Sequence, residues 1–486
     1  THPAAGNLGG GGFLLVRMAD GHSTFFDFRE RAPGQASRNM YLDSAGKVTN
    51  DSQAGWRASG VPGTVRGLEV AHQKFGKSKW RDLVAPAVKL AAAGFPVMYG
   101  LAHSLQSTGR LARFPESKRI FTGLAVGATL RQPELAATLD RIARRGAADF
   151  YAGETAQRLA KAMSDNGGLI TLADLKDYQV REREPLTGSY RGYTVITAPP
   201  PSSGGIGILQ MLGMLEGSGY AKEGEGAAST IHYVAEAMRR FYADRSKHMG
   251  DPDFFQFPVK ALLDPVYIQK QRASIDREKA SSSQTIGPGV FDGKESSETT
   301  HFSIVDAEGN AVSLTYTLNG SYGSGVTVPG LGFLMNNEMD DFAAKPGEPN
   351  MFRLVQGEAN AIAPGKRPLS SMTPTILLKD GKLFMVLGGP GGGRIPSSAL
   401  QTILNVVDFG LNVQDAVDRP RFHHQWLPDV ISLEHGFSPD TIRLLEKRGH
   451  KIEITEPQSQ IEAIAARAGW LEGGADGRSN SKAEGY

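Results

Sequence analysis

The stretch that decides the reading runs from 281 to 319: SSSQTIGPGVFDGKESSETTHFSIVDAEGNAVSLTYTLN. Its first half, 281–298, is rich in Ser and Gly, contains a Gly-Pro-Gly and has little to bury, so it reads as a mobile linker. The character changes abruptly at Thr299-Thr300-His301. Residues 301–306 read as a strand, Ala307-Glu308-Gly309-Asn310 as a turn, and 311–318 as the return strand. A mobile segment feeding straight into a core strand is unusual inside one compact domain. Two explanations stand: an ordinary interdomain linker, or a cleavage site that frees an N-terminus at Thr299.

Working outward, residues 1–55 read as strands and turns. Glycines 9–12 suggest a tight turn rather than a phosphate cradle, because the apolar run Phe13-Leu14-Leu15-Val16 follows and not a helix. A turn at Ala19-Asp20-Gly21 leads into a strand over 24–28. From about residue 64 the period becomes helical. Pro133 opens a helix with Leu135, Leu139 and Ile142 on one face, closed by Gly146. Another is expected from Ser229 or Thr230 as N-cap through Ile231, Val234, Met238 and Phe241. Residues 186–198 read as a hairpin, followed by PPPSSGG at 199–205 and another helix. No internal repeat is present.

The chain has 486 residues, 40% of them apolar and 21% charged, enough for a sizeable core. Lys and Arg number 53 against 51 Asp and Glu, so there is no general field for nucleic acid or an anionic membrane. Cysteine is absent, which removes disulfides, thiolate metal sites and a cysteine nucleophile together. The 59 glycines are about 12% of the chain against a usual ~7%, and are expected in tight loops and where backbone must approach a ligand. No apolar run approaches the ~18 residues of a transmembrane span. The opening Thr1-His2-Pro3 reads as the start of a mature or trimmed chain.

The common metal, phosphate and serine-hydrolase motifs are missing. His423-His424 would point to opposite faces of a strand, which disfavours joint metal ligation. A strand at 383–387, the loop Gly388-Gly389-Pro390-Gly391-Gly392-Gly393-Arg394 and a helix through Leu400, Ile403, Leu404 and Val407 would aim backbone N–H groups at a negative charge. Arg394 falls where a dinucleotide motif needs its last glycine. An oxyanion hole or carboxylate nest is preferred, against a plain packing loop. Three polar clusters remain: Asp27-Phe28-Arg29-Glu30, Asn336-Asn337-Glu338-Met339-Asp340-Asp341, and Arg367-Pro368-Leu369-Ser370-Ser371-Met372. Each alone reads as a turn or solvated strand end. Together they hold a cation, carboxylates and hydroxyls, a kit able to grip an amino-acid head group.

The run from Thr299 to Asp306, with Leu314-Thr315-Tyr316-Thr317-Leu318-Asn319 after it, resembles the start of the small subunit of γ-glutamyltranspeptidase. The resemblance covers nearly the whole chain. It includes the FDFRERAP stretch near Phe26 to Pro33, PPPSSGG at 199–205, ADRSKHMGDPDF at 243–254, MDDF at 339–342, KRPLSSM at 366–372, GGPGGGR at 388–394 and PRFHHQWLPD at 420–429. It implies an N-terminal-nucleophile hydrolase, an αββα sandwich of the α/β (α+β) class, cut once by itself between Glu298 and Thr299. The large subunit would be 1–298 and the small subunit 299–486.

By the same resemblance, Thr299 matches the nucleophile and Thr317 a threonine hydrogen-bonded to it. Arg29 matches the residue pairing the substrate α-carboxylate, with Ser370 and Ser371 helping to fix it. Asn319, Glu338 and Asp341 match the positions that hold the α-amine, although some bacterial members carry Gln at the position of Glu338. Gly391 and Gly392 match the oxyanion-hole amides. The stretch 345–357 resembles a lid loop, with Phe352 as its aromatic gate. No cofactor or metal is implied. The expected substrates are glutathione and other γ-glutamyl compounds, with water, amino acids or dipeptides as acceptors. Family precursors carry a signal peptide and a further N-terminal segment, implying a periplasmic or secreted enzyme. The rivals are a cephalosporin (glutaryl) acylase of the same fold and a non-catalytic binding homologue. Asp341 argues against the acylase, because a buried carboxylate without an ammonium partner is costly.

Overall fold

The apolar run at 13–16 has both of its faces buried, the mark of a strand covered on two sides. Phe13 and Leu15 point one way, into a cluster with Ile196, Ile376 and Val386. Leu14 and Val16 point the other way, beside Phe26, Phe28, Val70 and Phe75. The computed structural model describes residues 2–5, 8–256, 258–287, 299–457 and 459–486.

Gly11–Arg17 is the middle strand of a five-stranded antiparallel sheet. The order is Arg181–Arg183, Ser23–Phe28, Gly11–Arg17, Ala311–Thr317 and Thr300–Val305. A second antiparallel sheet has six strands in the order Trp470–Gly474, Glu462–Arg467, Lys382–Gly388, Thr375–Lys379, Tyr193–Thr197 and Leu186–Tyr190. The two sheets face each other across the Phe13 cluster. Along the second sheet the alternate residues Val195, Leu377, Met385 and Leu387 point outward, into a core shared with the helices Gly204–Leu215, Ala228–His248 and Ile395–Val407. The helix Thr64–Phe75 covers the opposite side, on the first sheet. The result is the expected αββα sandwich.

Several local expectations hold. The hairpins at 186–198 and 301–318 form, and Pro133–Arg145 is a helix ended by Gly146 at a φ of 67°. Others need correction. The long helix begins at Ala228, so Ser229 and Thr230 lie inside it, and the Thr230 hydroxyl donates to Gly224 O at 2.8 Å. Glycines 9–12 are not a tight turn. They form an extended approach into the first strand, and a Cβ on Gly10 would stand 1.9 Å from Thr317 O. The expected mobile stretch also divides. Ser281 N donates to Glu236 Oε1 at 3.1 Å and Ser283 N to Asp429 Oδ2 at 2.8 Å, so the start of the stretch is fastened down. Residues 288–298 lie outside the described residues. Among the described residues no helix is long and apolar enough to cross a membrane.

Register fixes where the chemistry can sit. Gly11 lies opposite Thr317, Gly12 opposite Phe28, and Thr300 opposite Tyr316. Thr299, Thr317 and Arg29 therefore emerge at one end of the first sheet.

Candidate active site

That end opens into a cleft with roughly 310 Å³ of empty space. Of the residues expected from the sequence, Arg29, Thr299, Thr317, Asn319, Glu338, Asp341, Phe352, Ser370, Ser371 and Gly392 all line it. Gly391 is the next residue to one of them and is not itself part of the lining. The three polar clusters read separately in the sequence are thus neighbours, and they are buried rather than solvated.

Thr299 Oγ1 and Thr317 Oγ1 stand 3.4 Å apart. His301, two residues on, is a poor base for Thr299. Its Nδ1 meets Thr315 Oγ1 at 2.8 Å and its Nε2 meets Ser303 Oγ at 3.1 Å. Burial also pushes its pKa down to about 3. The glycine loop leaves the strand Lys382–Gly388 and enters a short 3-10 turn, Gly392–Arg394, directly before the helix Ile395–Val407. N–H groups at such a start lack intrahelical acceptors. Gly391 and Gly392 adopt φ of 145° and 53°, a conformation that glycine accepts without the Cβ clash. Phe352 packs over this loop, 2.7 Å from where a Gly392 Cβ would be.

Across the cleft the charges are paired with one another. The Arg29 guanidinium donates to Glu338 Oε1 and to Asp341 Oδ2. Burial alone would lower the Arg29 pKa, but Glu338, Asp341 and Glu30 raise it above its ordinary value. Burial pushes Glu338 well above the usual carboxylate range and Asp341 upward, with Arg29 opposing both. Burial takes Glu30 up to about 7; among the described residues neither of its oxygens has a hydrogen-bond partner, and Arg29 Nη1 stands 3.7 Å from Oε2. Asn319 sits at a φ of 76°, its Nδ2 donating to Asn337 O at 3.0 Å. Asp341 is not the unpaired carboxylate that the sequence argument against an acylase assumed, because Arg29 already stands where an ammonium would.

Against this geometry the comparisons are specific. The gamma-glutamyltranspeptidase family model matches residues 1–486. The chain belongs to the γ-glutamyltranspeptidase family. Within this family it is 48% identical over 487 residues to the glutathione hydrolase proenzyme of Escherichia coli (strain K12), covering 99% of this chain and 84% of that protein. It is 40% identical over 456 residues to the acylase ACY 1 proenzyme of Pseudomonas sp. (strain SE83), covering 91% and 79%. A cephalosporin acylase from Bacillus halodurans superposes with a TM-score of 0.86 at 27% identity, covering 100% of this chain and 89% of that one. A gamma-glutamyltranspeptidase from Pseudomonas nitroreducens complexed with L-DON gives 0.56 at 42% identity, covering 58% and 85%.

Two features of this γ-glutamyltranspeptidase-family chain were not read as sites in the sequence. Arg245 lines the cleft from the long helix. It is a charged residue inside a helix whose whole circumference is buried from Thr230 to Ser246, a burial that only the structure shows. His232, Glu236 and His450 also come together, their ligand-capable atoms within 4.8 Å of one another. Arg239 and Arg240 already hold the Glu236 carboxylate, and His232 Nδ1 meets His450 Nε2 at 2.7 Å. Two guanidiniums take the place a cation would need. His423 and His424 go separate ways, to Ser397 Oγ and Asp429 Oδ1.

Proposed function

We propose that this chain hydrolyses and transfers the γ-glutamyl group of glutathione and related amides through an ester on Thr299. The observation that carries the reading is a single cleft holding a threonine hydroxyl beside a glycine loop, with cations and carboxylates opposite. A γ-glutamyl donor carries both an α-carboxylate and an α-ammonium, and this mixed lining suits both. The match to glutathione hydrolase proenzymes at 48% identity supports it over the acylase reading.

Threonine's hydroxyl is a weak nucleophile until a base takes its proton. Cleavage between Glu298 and Thr299 supplies one, because a new α-amine has a pKa of about 7.7–8.0. As Thr299 Oγ1 bonds to the γ-carbonyl carbon, its proton passes to that amine and the carbonyl oxygen becomes an oxyanion. The N–H groups of Gly391 and Gly392 stabilise it, and losing one such donor costs roughly 3–4 kcal/mol of barrier. Collapse breaks the C–N bond, the amine leaves with the proton, and a γ-glutamyl ester remains. Water then releases glutamate, or an amino acid or dipeptide accepts the acyl group. Thr317 holds the Thr299 hydroxyl, and Phe352 and the loop 345–357 close over the site. Arg29, Ser370 and Ser371 take the α-carboxylate; Asn319, Glu338 and Asp341 take the ammonium. The mature protein is then a large subunit, 1–298, with a small one, 299–486, working in the periplasm or outside the cell.

The test is intact mass together with turnover of a γ-glutamyl anilide. Wild-type protein should yield two fragments whose masses sum to the intact chain plus one water, the smaller beginning at Thr299. Thr299→Ala should stay whole and inactive. Splitting of that variant at the same bond without added protease would remove Thr299 as the nucleophile.

A further inference from the structure

Met351 enters the amine-side wall of the cleft from the loop 345–357, and three polar groups hold it there. Its N–H donates to Asp340 Oδ2 at 2.9 Å. Its Sδ accepts from Asn337 Nδ2 at 3.5 Å and from Asn319 Nδ2 at 3.8 Å. Among the described residues, none of the other methionines has a sulfur that accepts a hydrogen bond. Met163, Met211, Met238 and Met385 are fully buried among apolar side chains. A thioether is only a weak acceptor, so two amide N–H groups aimed at one gain little. An oxygen on that sulfur would be the strong acceptor that both donors lack.

The sulfur is also within reach of a small oxidant. Met351 is 8% exposed, the most of the buried methionines, and its neighbour Asn319 lines the cleft. The surroundings make a change at the sulfur felt in the site. Asn319 Nδ2 donates to Asn337 O at 3.0 Å as well, and Asn337 Oδ1 accepts from Gly320 N at 2.9 Å. Met351 Cε stands 3.1 Å from where a Cβ on Gly320 would be. Sulfur, both asparagines and the Gly320 backbone thus form one packed unit.

We propose that Met351 is a reversible oxidation site: a hydroperoxide converts its thioether to a sulfoxide, whose oxygen takes the Nδ2 donors of Asn337 and Asn319 and weakens donor binding. In that step the O–O bond breaks and the oxygen bearing the proton bonds to sulfur. Its proton passes to the departing oxygen, which leaves as an alcohol or water. Sulfur gives up two electrons and the peroxide gains them. Two thiols reverse the change, forming a disulfide and releasing water. The effect on the donor rests on the γ-glutamyl reading, in which Asn319 helps to hold the α-ammonium. A sulfoxide that draws on Asn319 turns this amide away from the ammonium and ties the loop 345–357 to the amine-side wall.

The test treats cleaved wild-type protein and Met351→Leu with hydrogen peroxide and compares each with itself before and after. Peptide mass mapping reads which methionines gain oxygen. In wild type, KM for a γ-glutamyl anilide should rise about tenfold in step with oxygen at Met351, the scale of one altered hydrogen bond to a charged group. Methionine sulfoxide reductase with a dithiol should restore it. Met351→Leu should keep its own KM through the same treatment, although the exposed Met98 gains oxygen in both proteins. An equal rise in Met351→Leu, or oxygen at Met351 with KM unchanged, would overturn the proposal. So would a Met351 left unmodified when Met98 is fully oxidised. A crystal of treated wild-type protein reads the site without turnover: the sulfoxide oxygen should lie about 2.7–3.2 Å from Nδ2 of Asn337 and of Asn319. An oxygen turned away from both would equally overturn it. Wild-type protein that turns over no γ-glutamyl anilide before treatment would instead sink the γ-glutamyl reading, and the mapping and the crystal would still decide the sulfoxide.

Discussion

At the scale of single residues, the charged groups of the cleft are paired with one another. Arg29 pairs with both Glu338 and Asp341, so on the proposed γ-glutamyl reading a donor's ammonium competes with a guanidinium already in place. Specificity for a free α-amine is then a difference between two paired states. Wild-type enzyme should prefer γ-glutamyl over glutaryl amides by at least about tenfold, the scale expected when a site's buried polar groups go unmatched. Asp341→Asn should weaken γ-glutamyl turnover and narrow that ratio; the check is kcat/KM for both donors in both proteins, and an unchanged ratio would move the amine contact elsewhere. Glu30 titrates in the other direction from most structural carboxylates. Burial raises its pKa from 4.5 to about 7. The folded state therefore holds a proton there that the unfolded state has lost, and stability falls as pH rises across that window. Glu30→Gln should raise Tm at pH 8 by a few degrees and change it little at pH 5. A shift of the same size at both pH values would mean that packing, and not charge, sets the effect.

At the scale of elements, the site depends on how closely strands approach. Glycine at 10 is required by contact and not by a turn, since a Cβ there would meet Thr317 O at 1.9 Å. Thr317 is the neighbour of Thr299, so a wedge at Gly10 is felt at the cleft. Gly10→Ala should lower Tm and also slow self-cleavage, followed by the rate at which the smaller fragment appears. Normal cleavage in a destabilised variant would separate the packing role of Gly10 from any effect on the cleft. From the sequence alone these glycines suggest a turn, because the run that follows them is a strand and not a helix. The signal it lacked was the partner strand, more than 300 residues downstream.

At the scale of the whole molecule, the long helix Ala228–His248 of the first part of the chain is fastened to the part after residue 299. His232 meets His450, Arg239 pairs with Asp429, and Tyr242 donates to Gly393 O. His424 and His450 are held neutral by burial, with pKa values lowered from 6.5 to about 4 and about 3. The unfolded chain takes up protons at these positions below about pH 6.5 while the folded chain does not, so stability is lost as pH falls from there toward 4. Tm should drop steeply between pH 7 and 5, and His424→Gln should make that drop shallower. An unaltered slope would assign acid sensitivity to other groups. The effect opposes that of Glu30 over nearly the same pH range, and because two histidines outweigh one carboxylate, these groups together favour stability near the upper end, about pH 6.5.

Much was legible in the chain itself. Strand and helix periods, the hairpin after Thr299 and the strand–glycine–helix segment are local patterns, set by which faces a short segment must bury. The ordered motifs pointed to the family and, by resemblance, to candidate site residues, most of which line one cleft. What the sequence by itself could not decide were pairings between distant segments. Whether Arg29 faces a carboxylate, whether Arg245 has a counter-ion and whether glycines 9–12 bend or pass close to another strand all depend on what lies across the cleft. Local patterns report the solvent side and the core side of an element. Only the tertiary structure decides which of several buried charges is left without its opposite, because that depends on distances between residues that the chain order keeps hundreds of positions apart.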